Sequence, residues 1–226
     1  MLEIPWVYNL VQHLFAPGHE RLQRIAFERI AFAKTGPVLE VGCGPRLKTP
    51  EVRGLVVGTD VNADYLREFT GGVIDSDPGL IDHPGGRTRL GYVCPAHELP
   101  FADGSFAEVR CRSLLHHLPR PIAVQAIREM VRCTRPGGRV VLVDPVWPRR
   151  AWTRPFAWLI MRLDRGEWVR SAEELRALAE EACPGPWRMH RYLLSYHATE
   201  GVILVRYIAT EEPPRHTESS RQKAAC

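Results

Sequence analysis

The sequence has no closely spaced cysteine pair and no long apolar run. Its six cysteines lack the CxxC spacing of zinc sites and redox motifs, so we expect no metal site. No apolar stretch approaches the ~20 residues that span a bilayer. Met1 leads into a mixed segment without the cleavage pattern of a secretory leader. Together these absences predict a reduced, cytoplasmic protein.

Lysine is scarce as well. Among 30 basic residues only Lys34, Lys48 and Lys223 are lysines, and the formal net charge is +4. Strong nucleic-acid-binding proteins usually carry a dense basic stripe. We therefore interpret the arginines as a solvated surface and expect no nucleic-acid partner.

What the sequence does contain is an alternation of strands and helices. The 226 residues are 45% hydrophobic, which is enough for one domain with a sizeable core. Predicted strands occupy residues 38–41, 55–59, 90–93, 108–112 and 139–143, with helices at 63–69 and 121–133. Strands and helices at this interval indicate βαβ units and a parallel sheet.

The predicted fold class is therefore α/β. We expect a Rossmann-like, doubly wound, mostly parallel seven-stranded sheet with helices on both faces. After a capped helix beginning at Ser171, strands near 191–196 and 202–209 are predicted to form a C-terminal antiparallel β-hairpin.

One domain is predicted over residues 1–210. Its parts are an N-terminal helical cover (1–35), with two helices separated at Pro17-Gly18, a core (36–144), a lid or acceptor insert (145–170), and a C-terminal helix with strands (171–210). Residues 211–226 are polar, contain Pro213-Pro214, and are predicted to be a disordered tail.

The stretch "VLEVGCG", residues 38–44, indicates a ligand-binding turn. Strand, glycine turn and helix form the nucleotide-binding arrangement of open α/β sheets, and Gly42 and Gly44 allow the backbone to approach a ligand. Glu40 would repel a pyrophosphate and suits a ligand with a cationic group. Asp60, at the end of the second strand, can accept hydrogen bonds from a ribose diol. The pattern predicts an adenosine-like ligand with a cationic amino-acid tail.

Five motifs then occur in the order found in one family: "VLEVGCG", "VGTDVN", "AHELPFADGSF", "SLLHHL" and "RPGGRVVLVDP". Over roughly residues 36–144 the chain resembles the class I S-adenosylmethionine (SAM)-dependent methyltransferases, in particular the small type 11 (UbiE-like) group. The resemblance implies SAM as the cofactor and S-adenosylhomocysteine as its product.

The resemblance also implies roles for single residues. Glu40 would orient the methionine amino group, and the turn of Gly42, Cys43 and Gly44 would pass beneath the methionine and ribose. Asp60 would bind the ribose hydroxyls. The remaining implied contacts are Val61, Ala96 and His97 around the adenine, and Leu114 under the sulfonium.

Three positions depart from the family's pattern. Pro45 and Arg46 stand where a third glycine is frequent, and proline stiffens the loop and removes an N–H. Pro95 replaces an aspartate that contacts the adenine amine. Ala107 stands where an acid often follows "SF".

For the methyl-transfer step, His116 and His117 are the candidate catalytic residues, since histidine has a suitable pKa for a general base. The alternative is that the two histidines are a packing feature. Asp144 could orient an acceptor or simply be a turn residue before Pro145.

The Trp- and Arg-rich insert leaves three interpretations open: a lid over an apolar acceptor, a helix packed on the sheet edge or a partner subunit, and peripheral membrane contact through 145–162. We expect a small, lipophilic or aromatic acceptor. The sequence does not decide among O-, N- and C-methylation, nor between a monomer and a homodimer.

Two other functions stay open. One is a non-enzymatic SAM-fold binding or scaffold protein, suggested by Pro45 and Pro95. The other is a nicotinamide-dependent oxidoreductase, which would need GxGxxG where this chain has "GCGPRL".

Overall fold

The structure is a computed structural model. It describes residues 25–26, 30, 36–44, 52, 54–70, 82–83, 87–149, 166–193 and 199–210. The predicted N-terminal helices, apart from the helical pair Ile25 and Ala26, lie outside these residues. The same holds for Pro45 and Arg46, the middle of the insert (150–165) and the predicted tail (211–226).

The described strands form one sheet. In chain order they are β1 (Val38–Val41), β2 (Gly54–Asp60), β3 (Asp82–His83), β4 (Arg87–Val93), β5 (Phe106–Arg112), β6 (Thr134–Val146), β7 (Arg188–Leu193) and β8 (Glu200–Tyr207). The order across the sheet is β3-β4-β2-β1-β5-β6-β8-β7.

The predicted seven-stranded sheet is confirmed, with a two-residue eighth strand, β3, added at one edge. Strands β4, β2, β1, β5 and β6 run parallel, and β8 and β7 are antiparallel, as predicted for the C-terminal hairpin. Because the parallel strands all end at one edge, the turns that follow β1, β2, β4 and β5 come together there.

The described helices cover both faces of the sheet. Helix α1 (Ala63–Thr70) places Phe69 against Val38 and Val56. Helices α2 (Arg120–Cys133) and α3 (Ala172–Ala182) pack on the opposite face, in the main core cluster. None of the described helices has the length and apolarity to cross a membrane.

The face that carries α1 also buries charge. Alternate residues of β5 point to this face, and Arg110 is wholly buried there. Its guanidinium donates to Glu108 and, through Nη1, to Oε1 of Glu40 at 3.4 Å. Glu108 also accepts from Nε of Arg139 at 2.6 Å. Burial of these charges is tolerable because each is paired.

Strand β6 begins five residues earlier than predicted. The sequence predicted the strand only from Arg139, yet Thr134 already pairs with Phe106, and the register shifts between Phe106 and Glu108. The irregularity accommodates Gly137, whose φ is +74°.

Candidate active site

The glycine turn after β1 is fixed by backbone bonds to the end of β2. The amide of Cys43 donates to the carbonyl of Thr59 at 2.9 Å. Gly42 and Gly44 both have φ of +64°, a left-handed conformation that suits glycine. A Cβ on Gly42 would lie 2.8 Å from Cδ2 of Leu114, so the Leu114 side chain already fills the space beneath the turn.

Asp60 ends β2 with its carboxylate turned toward the glycine turn. Oδ2 accepts from the Gly44 amide at 3.1 Å and Oδ1 from the Asn62 amide at 2.9 Å. Burial raises the pKa of this carboxyl, while the amide donors of Asn62, Gly44 and Val61 oppose that rise. The carboxylate is therefore held in place by the backbone on either side.

The predicted adenine contacts follow β2 and β4 at the same edge. Val61 directly follows Asp60 and is 72% exposed, so an apolar surface is open for a flat ring. Ala96 is half-buried against the main core. The His97 ring is turned to Glu98, with Nε2 3.7 Å from Oε1.

The loop that carries Ala96 and His97 is anchored by α2. The Leu99 amide donates to Oε2 of Glu129 at 3.0 Å, and Arg132 donates to the carbonyls of Leu99 and Phe101. Bonds from Arg132 and the Leu99 amide lower the pKa of Glu129, so it stays ionised as an acceptor.

Glu40 is almost completely buried and does not project alone into a cleft. Its Oε1 accepts from Arg110, and its Oε2 accepts from Nε of Arg112 at 3.3 Å. Arg112 ends β5, next to β1, with its side chain 10% exposed. Its Nη1 is buried and has no hydrogen-bond partner among the residues that the structure describes.

The histidines follow β5 in a short 3₁₀ turn, Leu115–His117. Ser113, which precedes it, has φ of +52°, unusual for a non-glycine residue, and its amide donates to the Val143 carbonyl. This bend brings Nδ1 of His116 to 2.9 Å from Oδ1 of Asp144 in β6. Both side chains are buried.

His117 has a different environment from that of His116. It is exposed, and its ring centroid lies 4.0 Å from that of His116 at a tilt of 42°. The two histidine rings therefore lie side by side, and the Asp144 carboxylate is hydrogen-bonded to His116.

The end of the insert packs on the histidine turn. Both Nη atoms of Arg170 donate to this turn, to the carbonyls of Leu115 and Leu118, at 2.7 and 2.8 Å. The Trp168 amide donates to the His116 carbonyl at 2.9 Å. A Cβ on Gly166 would lie 2.2 Å from Cδ2 of His116, so Gly166 directly abuts the imidazole.

Sequence reasoning missed two of these residues and one pairing. Arg112 belongs to an alternating charged pattern that is typical of an exposed strand face. Arg170 lies in a Trp- and Arg-rich stretch whose contacts the sequence does not specify. The pairing of His116 with Asp144 joins residues 28 positions apart. The consecutive ends of β5 and β6 at one sheet edge were the available signal for this last pairing.

The fold is similar to that of solved methyltransferase structures. A SAM-dependent methyltransferase structure from Aquifex aeolicus matches this fold with a TM-score of 0.57, covering 87% of this chain and 97% of that one. The sequence identity is 18%, so this likeness concerns the fold. The structural likeness therefore shows a Rossmann-like fold of the kind found in that methyltransferase structure.

Sequence comparison shows which family the chain resembles. The family model described as "Methyltransferase domain" matches residues 39–142, from β1 into β6. The methyltransferase GfsG of Streptomyces halstedii is 32% identical over 136 residues, 58% of this chain and 45% of GfsG, so the chain spans less than half of that relative. The ubiquinone/menaquinone biosynthesis C-methyltransferase UbiE of Burkholderia cenocepacia is 28% identical over 195 residues, 81% of this chain and 73% of that protein.

The matched domain covers just under half of this chain, and the chain is similar to the class I SAM-dependent methyltransferases of the UbiE-like group. SAM is the cofactor of this class. The described residues fit it on three observations. A Cβ on Gly44 would meet no described atom within 4 Å. The Asp60 carboxylate lies beside the glycine turn, and Arg112 keeps one buried donor without a partner among the described residues.

Among the residues that the structure describes, no group of three or more His, Cys, Asp or Glu side chains could hold a metal ion. The five described cysteines are free thiols. Burial raises the pKa of Cys43 in the glycine turn, and nearby Asp60 and Glu40 raise it further. Cys43 is therefore a neutral thiol, and it adds no charge to the turn.

Proposed function

We propose that the protein transfers the methyl group of SAM to a small, lipophilic or aromatic acceptor through an oxygen or a nitrogen, with His116 as general base. The observation that carries this proposal is the buried hydrogen bond between Nδ1 of His116 and Oδ1 of Asp144 at 2.9 Å. SAM supplies an electrophilic methyl group on a sulfonium.

The Asp144 carboxylate determines which nitrogen of His116 can act as a base. An ionised carboxylate only accepts hydrogen bonds, so Nδ1 must donate and the lone pair of the neutral ring lies on Nε2. In a transfer from SAM to a hydroxyl acceptor, Nε2 would take the hydroxyl proton while the methyl group passes to the oxygen. Asp144 then stabilises the imidazolium. This chemistry favours a hydroxyl acceptor, since an amine can lose its proton to solvent.

The surroundings of His116 support an apolar acceptor. Gly166 abuts the imidazole, and the Trp168 side chain near it is 44% exposed. The Trp147 indole N–H donates to the Val169 carbonyl at 3.0 Å, which ties both ends of the insert together. These contacts favour the interpretation of the insert as a lid over an apolar acceptor. An alternative is C-methylation, the activity named for the UbiE relative.

The residue roles and the domain layout remain part of this proposal. We keep Glu40, Gly42, Cys43, Gly44, Asp60, Val61, Ala96, His97 and Leu114 as the cofactor-binding residues, within one domain over residues 1–210. A cytoplasmic location and a monomeric or homodimeric state remain predictions. The other open interpretations of the insert, sheet-edge or subunit packing and peripheral membrane contact, also remain.

The test replaces His116 with Gln, Asp144 with Asn and, as a matched control, His117 with Gln. We expect the first two variants to lose about 10²- to 10⁴-fold in methyl transfer to a panel of phenols and arylamines. They should bind S-adenosylhomocysteine as the wild type does, because neither contacts the glycine turn. The His117 variant should keep most of its activity.

Two results would contradict the proposal. Full activity of the His116→Gln variant would exclude His116 as the base. Cofactor binding by the wild type without turnover of any acceptor would favour the scaffold alternative.

A further inference from the structure

We propose that Arg112 is a further cofactor-binding residue, which donates to the methionyl carboxylate beside Glu40, the residue already expected to accept from the ammonium. The assignment rests on the SAM cofactor of the class and is independent of the acceptor and of the His116 proposal. It adds Arg112 to the binding site and gives Glu40 a partner in its predicted role.

The position of Arg112 follows from strand register. Val41 of β1 pairs with Cys111 of β5, so the next residues along, Gly42 and Arg112, lie opposite each other at the carboxyl edge. The Arg112 charge is close enough to Cys43, the next residue of the turn, to oppose the rise in the pKa of that thiol. Arg112 is therefore a neighbour of the glycine turn.

The hydrogen bonding of Arg112 is incomplete. Nε donates to Oε2 of Glu40 at 3.3 Å, but Glu40 is shared with Arg110, which donates to its other oxygen at 3.4 Å. Nη1 of Arg112 has no hydrogen-bond partner in the described part of the chain, and the side chain is nine-tenths buried. A buried charged donor without a partner is costly, and in native proteins it usually has a function or an unseen partner.

The chemistry of the missing partner is constrained by the pair. A guanidinium group suits a carboxylate, which can accept from two of its N–H groups. An α-amino acid carries a carboxylate and an ammonium on one carbon, so it presents both charges within reach of an adjacent Arg and Glu. The positive charge of Arg112 complements the carboxylate, and the negative charge of Glu40 complements the ammonium. Both residues lie beside the turn that is expected to pass beneath the methionine.

The test compares three ligands by isothermal titration calorimetry. S-adenosylhomocysteine carries both the amino and the carboxylate groups. Its decarboxylated analogue, 5′-(3-aminopropylthio)-5′-deoxyadenosine, keeps only the amine, and 5′-methylthioadenosine has neither. The wild type should bind S-adenosylhomocysteine about 10- to 100-fold more tightly than the decarboxylated analogue, the range expected for charge-assisted hydrogen bonds. If the wild type bound S-adenosylhomocysteine and the decarboxylated analogue with equal affinity, the proposal would be overturned before any variant is measured.

Variants then separate the two residues. Arg112→Met should remove the preference for the carboxylate and leave binding of 5′-methylthioadenosine within about twofold. Glu40→Gln should weaken both amine-bearing ligands and spare 5′-methylthioadenosine. Arg128→Met, an exposed position on α2, is the control for loss of an arginine and should bind all three ligands as the wild type does.

A merely structural role for Arg112 predicts a different pattern. If Arg112 only supported Glu40 or the turn, Arg112→Met would weaken all three ligands equally, and that result would refute the carboxylate assignment. If the wild type binds none of the three ligands, both the Arg112 assignment and the assignment of SAM as the cofactor are refuted. Acceptor turnover enters none of these measurements, so the acceptor proposal can fail separately.

Discussion

Gly42 and Gly44 share a φ of +64° but differ in what surrounds them. An added Cβ at Gly42 would meet Leu114 at 2.8 Å, whereas at Gly44 it would meet no described atom within 4 Å. An alanine would therefore strain the backbone at both positions, but among the described residues it would clash with another side chain only at Gly42. The space beside Gly42 is filled by Leu114, whereas the described part of the chain leaves the space beside Gly44 open for a ligand.

Replacing each glycine with alanine tests this difference. Both variants should lose about 1 kcal/mol of stability to the left-handed backbone. Gly42→Ala should lose more, because Leu114 must move. Gly44→Ala should lose no more stability than the left-handed backbone costs, yet it should bind S-adenosylhomocysteine at least about tenfold more weakly, since the methyl group would occupy ligand space.

Thermal unfolding and calorimetric titration, run on both variants, measure the two effects. Unchanged ligand binding in Gly44→Ala would mean that the cofactor does not pass over this residue. Equal stability of the two variants would mean that Leu114 does not constrain the turn.

Single residues also show how far the sequence could lead. The roles of Gly42, Gly44 and Asp60 in cofactor binding stay predictions. Their places at strand ends were predictable because they depend on local backbone geometry. The Arg112–Glu40 and His116–Asp144 contacts were not, since each depends on which strands are neighbours in the sheet. Glu40 was predicted as a lone ligand contact, and the structure shows it shared between two arginines.

At the scale of elements, helix α3 begins with the capping box that its sequence predicts. The hydroxyl of Ser171 accepts from the Glu174 amide at 3.2 Å, and the Glu174 carboxylate accepts from the Ser171 amide at 2.7 Å. These bonds lower the pKa of Glu174. The helix buries Leu175 and Leu178 in the main core, so its start affects packing directly.

Ser171→Ala should lower stability by about 1 kcal/mol, the usual cost of losing an N-cap, or roughly 2–4 °C in Tm. Ser171→Asp should keep most of the stability because aspartate also caps helices. Ser105→Ala, at an exposed loop serine, is the matched control. Denaturant unfolding checks all three, and equal stability of Ser171→Ala and the wild type would show that the cap contributes nothing.

The same capping box has a defined pH dependence. Because the folded-state pKa of Glu174 is lowered from 4.5, its stabilising contribution is present above pH 4.5 and is lost as the pH falls through the folded value. The stability difference between the wild type and Glu174→Ala should therefore narrow in acid. A difference that stays constant from neutral pH to about pH 3 would contradict this account.

Element type was easier to predict than element environment. The apolar run of β6 and the one-sided pattern of α2 identify a buried strand and an amphipathic helix because hydrophobic periodicity is a local signal. Strand β5 alternates charged and apolar residues, which is typical of a half-exposed strand. In the structure its charged face is covered and ion-paired, an outcome that depends on Glu40 and Arg139 in the neighbouring strands.

For the whole molecule, the sheet order brings together turns that are up to about a hundred residues apart. Glu40, Asp60, Arg112 and Asp144 all lie at or near the carboxyl ends of parallel strands. Alternating strands and helices predicted this sheet, and the family motifs predicted its ligand edge. The acceptor was not predictable, because it depends on how the insert folds against His116 and on side chains with no local sequence signal.

The central claim is that the carboxyl edge around the glycine turn binds SAM. Calorimetric titration of the purified protein with S-adenosylhomocysteine, with NADH as the control, tests it most directly. We predict binding of S-adenosylhomocysteine alone. At a ligand concentration 100 times the dissociation constant, it should stabilise the protein by about 2.7 kcal/mol and raise Tm by roughly 5–11 °C. Binding of NADH without S-adenosylhomocysteine, or of neither ligand, would contradict the account.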